Sequence, residues 1–245
     1  MFPLRDHNPS TRTPIITYAL MALNIGVFLA TYPYLAATAQ GDAFFGTWGM
    51  VPREVVAGNN LVSLVTAMFL HGGWMHLLGN VLFLWIFGDN LEDELGHLGY
   101  LGYYLACGVG AGLAQVLADP SSPIPTIGAS GAIAGLLGGY LLLFPKARID
   151  VLFIFVVFFR IFPVSAWLVL LVWFGLQLVY GMAANAAQDG VAYWEHIGGF
   201  VLGMALMLPS WLGRGGTRFW SRTHGTPPHP EARYARSSIP LVRRR

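Results

Sequence analysis

The chain of 245 residues is 55% hydrophobic and only 11% charged, with a formal net charge of +2 and a mean hydropathy of +0.57. Soluble globular domains carry roughly 25% charged residues, so this composition excludes an ordinary soluble domain and indicates that most of the chain faces lipid. The single cysteine, Cys107, excludes a disulfide framework and a CxxC metal site, and its apolar surroundings predict buried packing.

Six segments are predicted to cross a membrane, for which a helix needs about 20 mainly apolar residues. They are Ile15–Tyr34, Gly73–Phe87, Leu98–Leu117, Gly128–Phe144, Val164–Gly181 and Val191–Leu212, of which the second and fourth need flanking residues to span. Val151–Phe162 is also apolar, but Arg160 and Pro163 interrupt it, so we interpret it as a loop or interfacial lead-in. The prediction is an all-α, polytopic membrane protein with a bundle of six transmembrane helices.

The two ends of the chain differ from this membrane domain, which we place at residues 15–212. Residues 1–14 are predicted to be a short cytoplasmic segment. Residues 213–245 are rich in Arg, Pro, Ser and Gly and are predicted to be a disordered cytoplasmic tail. The first apolar segment has a signal peptide as its alternative interpretation. Its length of about 20 residues exceeds the usual 7–15 of a signal peptide and favours a retained helix.

The distribution of basic residues predicts the orientation. An even number of spans puts both termini on one side, and eight of the 14 basic residues lie between Arg214 and Arg245. If the termini are cytoplasmic, Arg53 is the only basic residue outside. The positive-inside rule, by which basic residues are enriched on the cytoplasmic side, favours this orientation. The tail arginines are predicted to contact anionic lipid headgroups rather than nucleic acid. This plan suits a bacterial cytoplasmic membrane, with an organellar membrane as the alternative.

Four polar side chains are predicted to lie at one depth, in the outer third of the membrane. Ser130 begins the fourth span, His196 lies near the outer end of the sixth, and His76 and Asn80 follow each other by one turn in the second. Placing polar side chains at this depth costs free energy, so they usually face a cavity or a polar partner. Each residue alone could have a purely structural role, such as a serine hydroxyl that donates to a backbone carbonyl. Their convergence at one depth favours a catalytic site.

The chemistry of these residues matches acyl transfer. Ser130 needs a base such as His196 to take its proton. His76, Asn80 and the backbone N–H of Ser130 are candidate oxyanion donors. Glycines at i and i+4 in both the fourth and sixth spans would let the two backbones approach; they are Gly131, Gly135, Gly199 and Gly203. Glu195 is adjacent to His196 and points about 100° away, so a Ser–His dyad is predicted rather than a triad.

These motifs resemble those of the rhomboid family of intramembrane serine proteases. Residues 128–135, GASGAIAG, resemble the family's GxSG nucleophile motif, with Gly128 and Gly131 in supporting positions. The run from His76 to Asn80 resembles its HxxxN oxyanion motif, preceded by His71. Residues 196–200, HIGGF, resemble the motif around the base and include Gly199. The resemblance implies a six-helix core with a water-filled site open to the outside. It also implies cleavage of single-span membrane protein substrates, with no cofactor and no metal.

Three features depart from the family pattern. Val62-Ser63 replaces a common Trp-Arg pair, and Ala134 replaces an aromatic residue often found four positions after the serine. Glu195 replaces a common alanine, and it either faces outer-loop water or stays neutral and pairs inside the bundle. What orients His196 is therefore open.

Two rival functions remain. One is a non-catalytic rhomboid-like protein that binds or escorts membrane clients. The other is a transporter, although the inner halves of the helices lack the ionisable groups that a relay would need.

Three further segments are expected to surround the site. The first loop, Leu35–Thr66, is predicted to lie at the membrane interface and brace the bundle. The loop Ala183–Gly190 is a candidate cap. The fifth helix, with Trp167 and Trp173, is a candidate lateral gate, although both tryptophans would also suit interfacial anchors.

Overall fold

The structure is a computed structural model that describes residues 2–8, 10–35, 38–155, 158–183 and 191–226. Within these ranges the chain is mainly helical. The elements in chain order are β1 (Phe2–Asp6), α1 (Ile15–Thr31), α2 (Ala39–Trp48), α3 (Pro52–Val56), α4 (Ser63–Thr66), α5 (Trp74–Ala118), α6 (Ser130–Leu143), β2 (Arg148–Phe155), β3 (Phe158–Ser165), α7 (Ala166–Ala183), α8 (Tyr193–Gly213) and α9 (Thr217–Thr223). Short 3₁₀ turns occupy Tyr32–Leu35 and Ala67–Phe69. The predicted cap at 184–190 lies outside the described residues.

Four described helices are long and apolar enough to cross a membrane: Ile15–Leu35, Trp74–Ala118, Ala166–Ala183 and Tyr193–Gly213. This differs from the six predicted spans for two reasons. The predicted second and third spans both lie in α5, which is interrupted at Gly96 by a non-helical backbone with φ 69° and ψ 164°. Glycine tolerates this positive φ because it has no Cβ. The predicted fourth span corresponds to α6, which has only 14 residues.

The short helix α6 forms the centre of the bundle. All but two of its residues are buried, and it packs between α5 and α8. Glycines bring its backbone against α8, as predicted: a Cβ on Gly203 would lie 2.5 Å from the Cα of Gly135, and one on Gly199 would overlap the carbonyl oxygen of Gly131. Tyr103 of α5 completes the contact, because its hydroxyl lies 2.8 Å from the carbonyl oxygens of both Gly135 and Gly203.

A three-stranded antiparallel sheet corrects the all-α prediction. Strand β2 pairs with β3 from Arg148↔Ser165 to Phe155↔Phe158, and β1 pairs with the other edge of β2. Val151–Phe162, interpreted as a loop or interfacial lead-in, is therefore not a loop but part of β2 and β3, and β3 runs directly into α7. Its branched and aromatic residues favour a strand. Pro163 is tolerated because β3 is an edge strand, where a missing N–H leaves no ladder bond unmade.

Both predicted terminal segments are attached to the bundle at the end of α6 opposite Ser130. Residues 2–6 are strand β1, and Arg5 Nε donates to Asp150 Oδ2 over 2.8 Å. At the other terminus, Phe219 of α9 is buried and Trp220 Nε1 donates to the carbonyl of Leu142 over 2.9 Å. The prediction of disorder from residue 213 is therefore wrong for 213–226, and residues 227–245 lie outside the described part.

Candidate active site

Ser130 and His196 meet where α6 and α8 begin. Ser130 is the first residue of α6, and His196 is the fourth residue of α8. His196 Nε2 lies 2.7 Å from Ser130 Oγ, a distance that requires a hydrogen bond between the two groups. The glycine contact between the helices makes this possible, since Gly199 lies one turn below His196 and faces Gly131, the neighbour of Ser130. The predicted pair is thus in direct contact.

The loop that leads into α6 fits closely around His76. Gly128 has φ +130°, a conformation that side-chain-bearing residues rarely adopt, and a Cβ there would lie 2.6 Å from His76 Nε2. The same Cβ would lie 3.5 Å from Ser130 Oγ, so the imidazole of His76 and the serine hydroxyl flank one small space. The N–H of Gly72 donates to His76 Nδ1 over 3.4 Å. The structure therefore brings His76 and Gly128 to Ser130.

Asn80 and His71 are buried, and neither is seen to hydrogen-bond to Ser130. Asn80 is buried, and its side-chain amide donates to the carbonyl of His76 in its own helix over 3.1 Å. His71 is fully buried, with its ring centroid 5.1 Å from that of His76. Burial lowers the pKa of His71 to about 4, so its imidazole is neutral near pH 7. His71 thus supports His76 by packing and not by charge.

Helix α7 supplies two neighbours of His196 that sequence reasoning missed. Gln177 Oε1 lies 2.8 Å from His196 Nδ1, and the indole of Trp173 lies 5.9 Å from the imidazole between ring centroids. These residues are four apart and share a helix face. A signal was available, because Gln177 is an amide inside a predicted span, and polar residues there usually have a partner. The aromatic neighbour of the imidazole is thus Trp173 of α7, whereas position 134 carries the methyl group of an alanine.

Glu195 points away from the imidazole and into the bundle. It is only 8% exposed, and a Cβ on Gly131 would lie 2.7 Å from its Oε1 and the same distance from Ala111 Cβ. The interpretation that it faces outer-loop water is wrong, because glycine at 131 opens space for the carboxyl between α5 and α6. The side chain therefore lies inside the bundle, as the alternative interpretation held, although no partner for its carboxyl is seen among the described residues.

A cavity of about 980 Å³ opens onto Ser130, His196 and His76. Its walls come from the loop before α5, the loop before α6 and the start of α8, and most of them are apolar; those wall residues include Trp74, Met75, Ile124, Pro125, Ile127 and Val191. Polar groups enter it from Gln115, Ser122 and Thr126. Among the described residues, no three His, Cys, Asp or Glu side chains are grouped to hold a metal ion. A mainly apolar cavity with a few convergent polar groups is the usual form of a substrate site.

Comparison with known proteins gives one consistent result. The Rhomboid domain family matches residues 58–212. The chain is 36% identical to rhomboid-like protein 11, chloroplastic, of Arabidopsis thaliana over 54% of the chain and 42% of that protein. It is 29% identical to rhomboid protein 1, mitochondrial, of Saccharomyces cerevisiae over 77% of the chain and 51% of that protein.

A relative named as a protease also matches. The chain is 30% identical to rhomboid protease GluP of Bacillus subtilis over 80% of the chain and 36% of that protein. The chain thus spans between about a third and a half of the length of these relatives. The family match covers more than half of the chain and includes Ser130, His196, His76 and Asn80. With its apolar helices this is an integral membrane protein, and it belongs to the rhomboid family.

Proposed function

We propose that the protein is a serine endopeptidase that cleaves membrane-embedded substrates, with Ser130 as nucleophile and His196 as general base. The observation that carries the proposal is the 2.7 Å contact between His196 Nε2 and Ser130 Oγ beside a cavity of about 980 Å³. A serine hydroxyl is a weak nucleophile until a base within hydrogen-bond reach takes its proton. The name of the relative GluP, a rhomboid protease, supports the same activity.

The proposed reaction has two steps. His196 Nε2 takes the Ser130 proton while Oγ attacks the substrate carbonyl carbon, and the imidazolium then returns that proton to the leaving amine. The resulting ester is hydrolysed by water, which His196 activates in the same way. The backbone N–H of Ser130 begins α6 and is free to donate to the oxyanion. His76, whose ring borders Gly128, is the second donor.

Asn80 is proposed as a third oxyanion donor, and this role requires a change of partner. The side-chain amide of Asn80 has two N–H groups, and in the structure one of them donates to the backbone carbonyl of His76. We propose that the side chain rotates when an oxyanion forms, so that an N–H group leaves the carbonyl of His76 and donates to the oxyanion. Removing a donor of this kind typically lowers kcat about 10²–10³-fold.

The short helix α6 supports a site below the membrane surface. We propose six crossings, counting the two halves of α5 and α6, with both termini in the cytoplasm and the cavity open to the outside. At 1.5 Å per residue, the 14 residues of α6 extend about 21 Å, against a hydrocarbon core of about 30 Å. If α6 ends at the inner boundary, Ser130 lies about 9 Å beneath the outer one. We propose single-span membrane proteins as substrates and a bacterial cytoplasmic membrane as the location.

Cleavage of a model substrate in proteoliposomes tests the proposal. The substrate carries one transmembrane segment with a fluorescent label, and the protein is compared with Ser130→Ala and with Ser165→Ala, a serine at the far end of the bundle. We expect wild type and Ser165→Ala to release a labelled fragment and Ser130→Ala to release none. Cleavage that persists in Ser130→Ala would contradict the mechanism. Binding without cleavage by a folded wild type would instead support a non-catalytic, client-binding rhomboid.

A further inference from the structure

We infer that Gln177 is a positioning residue for His196, supplied by α7 to fix the tautomer of the base. The inference rests on the proposed function, because a base needs a free ring nitrogen towards its nucleophile. It departs from the predicted Ser–His dyad by adding a neutral third residue, which is the second hydrogen-bond partner of the imidazole. The contact that carries it is Gln177 Oε1 to His196 Nδ1 at 2.8 Å.

The arrangement of atoms determines which nitrogen carries the proton. With Gln177 Oε1 towards the ring, the amide oxygen can only accept, and we assign the proton to Nδ1 as the donor of this hydrogen bond. In a neutral imidazole Nε2 then bears the lone pair, and it faces Ser130 Oγ at 2.7 Å. The serine hydroxyl therefore donates to Nε2, which is the arrangement that proton removal from Ser130 requires. Without an acceptor at Nδ1, the proton could occupy either nitrogen.

The other polar groups near the imidazole cannot take this role. Glu195 is on the same helix but lies against Gly131, on the side of α8 that faces α5 and α6. His76 lies next to Gly128, on the side of the His196 ring where Ser130 is. It is therefore near Nε2 of His196 and not near Nδ1. The indole of Trp173 lies 5.9 Å away with its plane tilted 35° and packs beside the ring. Gln177 is thus the one hydrogen-bond partner of Nδ1 among the described residues.

The partner belongs to a helix that is lightly attached to the bundle. Helix α7 packs mainly on α8, and only Ala166 and Leu170 in its inner part are buried. Trp173 and Gln177 follow on the face that meets α8, with Trp173 also 6.2 Å from Phe200 between ring centroids. The tautomer of His196 consequently depends on how α7 lies against α8. Displacement of α7 would remove both the acceptor and the aromatic neighbour of the base.

Three variants separate a positioning role from a packing role. Gln177→Met removes the acceptor at nearly constant length, Gln177→Glu keeps an acceptor oxygen, and Leu176→Met makes a similar change on the exposed face of α7. Loss of one neutral hydrogen bond to the base should lower kcat about ten-fold and change KM less than about two-fold. We expect this for Gln177→Met only, with Gln177→Glu and Leu176→Met near wild type.

The deciding readout is the tautomer itself, which needs no substrate. In ¹⁵N-histidine NMR spectra of the full chain in detergent, the His196 resonances are those lost in His196→Ala. We expect a protonated Nδ1 in wild type and Gln177→Glu, and a mixture of both tautomers in Gln177→Met. An unchanged tautomer and unchanged kcat in folded Gln177→Met would overturn the inference. If Gln177→Met changes the tautomer of His196 but the wild type cleaves no substrate, the proposed function is wrong. The inference that Gln177 fixes the tautomer would still stand.

Discussion

Replacing Gly199 with alanine tests whether the contact between α6 and α8 sets the distance between base and nucleophile. The new Cβ would overlap the carbonyl oxygen of Gly131 and lie 3.1 Å from its carbonyl carbon and 3.2 Å from Ala111 Cβ. Carbon atoms normally pack at about 3.5–4.0 Å, so α8 must move by about half to one ångström. None of these atoms is at the end of a flexible side chain, so the helices themselves must separate.

The effect on activity follows from the 2.7 Å contact between Ser130 and His196, one turn above the new methyl group. A separation of this size stretches the contact towards about 3.6 Å, where a hydrogen bond no longer exists. General-base catalysis contributes about 10²–10⁴-fold, so kcat for a transmembrane substrate should fall at least about 100-fold. Overpacking should also destabilise the fold by about 1–3 kcal/mol.

The assay pairs kcat with the thermal unfolding midpoint of each variant in detergent. The matched control is Gly26→Ala in α1, where an added Cβ meets nothing within 4 Å. We expect the control to retain kcat within about two-fold of wild type. A Gly199→Ala protein that is folded and cleaves at the wild-type rate would refute the argument that backbone contact positions the pair.

Three further perturbations test other parts of the structure. Gly128→Ala forces a side chain into φ +130° and against His76, so cleavage should fall at least about 10-fold in a folded protein. Tyr103→Phe removes the hydroxyl between α6 and α8. It should lower the free energy of unfolding by about 1 kcal/mol, measured as a lower unfolding midpoint. Burial and the nearby Asp89 carboxylate raise the pKa of Asp6 from 3.8 to about 7. The folded state therefore binds this proton more tightly, so the unfolding midpoint should fall as pH rises from about 4 to about 7, and less steeply in Asp6→Asn.

The helical part of the fold was largely predictable because lipid imposes a simple requirement on sequence. Apolar length alone located the helices now seen as α1, α7 and α8 and both halves of α5. It overestimated the length of α6, because the predicted span Gly128–Phe144 corresponds to a helix of only 14 residues, nearly all of them buried. The sheet was missed because a largely apolar run such as Val151–Phe162 suits an interfacial loop as well as a strand. The third strand, Phe2–Asp6, is too far along the chain from β2 for a local pattern to indicate.

The candidate site was predictable where one helix turn fixed the geometry. Ser130 at the start of one helix and His196 near the start of another could be placed at one depth by counting residues. The orientation of Glu195 and the partner of His196 could not, because both depend on the rotation of α8 and on which helix packs beside it. Gln177 is 19 residues from His196 along the chain, and only packing of α7 against α8 brings it to 2.8 Å.

The most direct test of the central claim is to locate the adduct of a fluorophosphonate probe by peptide mass spectrometry. The probe reacts with a serine only when a base activates it. We predict a single adduct on the peptide that contains Ser130 in the wild type, and no adduct on that peptide in folded His196→Ala. An adduct on another residue, or equal labelling of Ser130 without His196, would contradict the account.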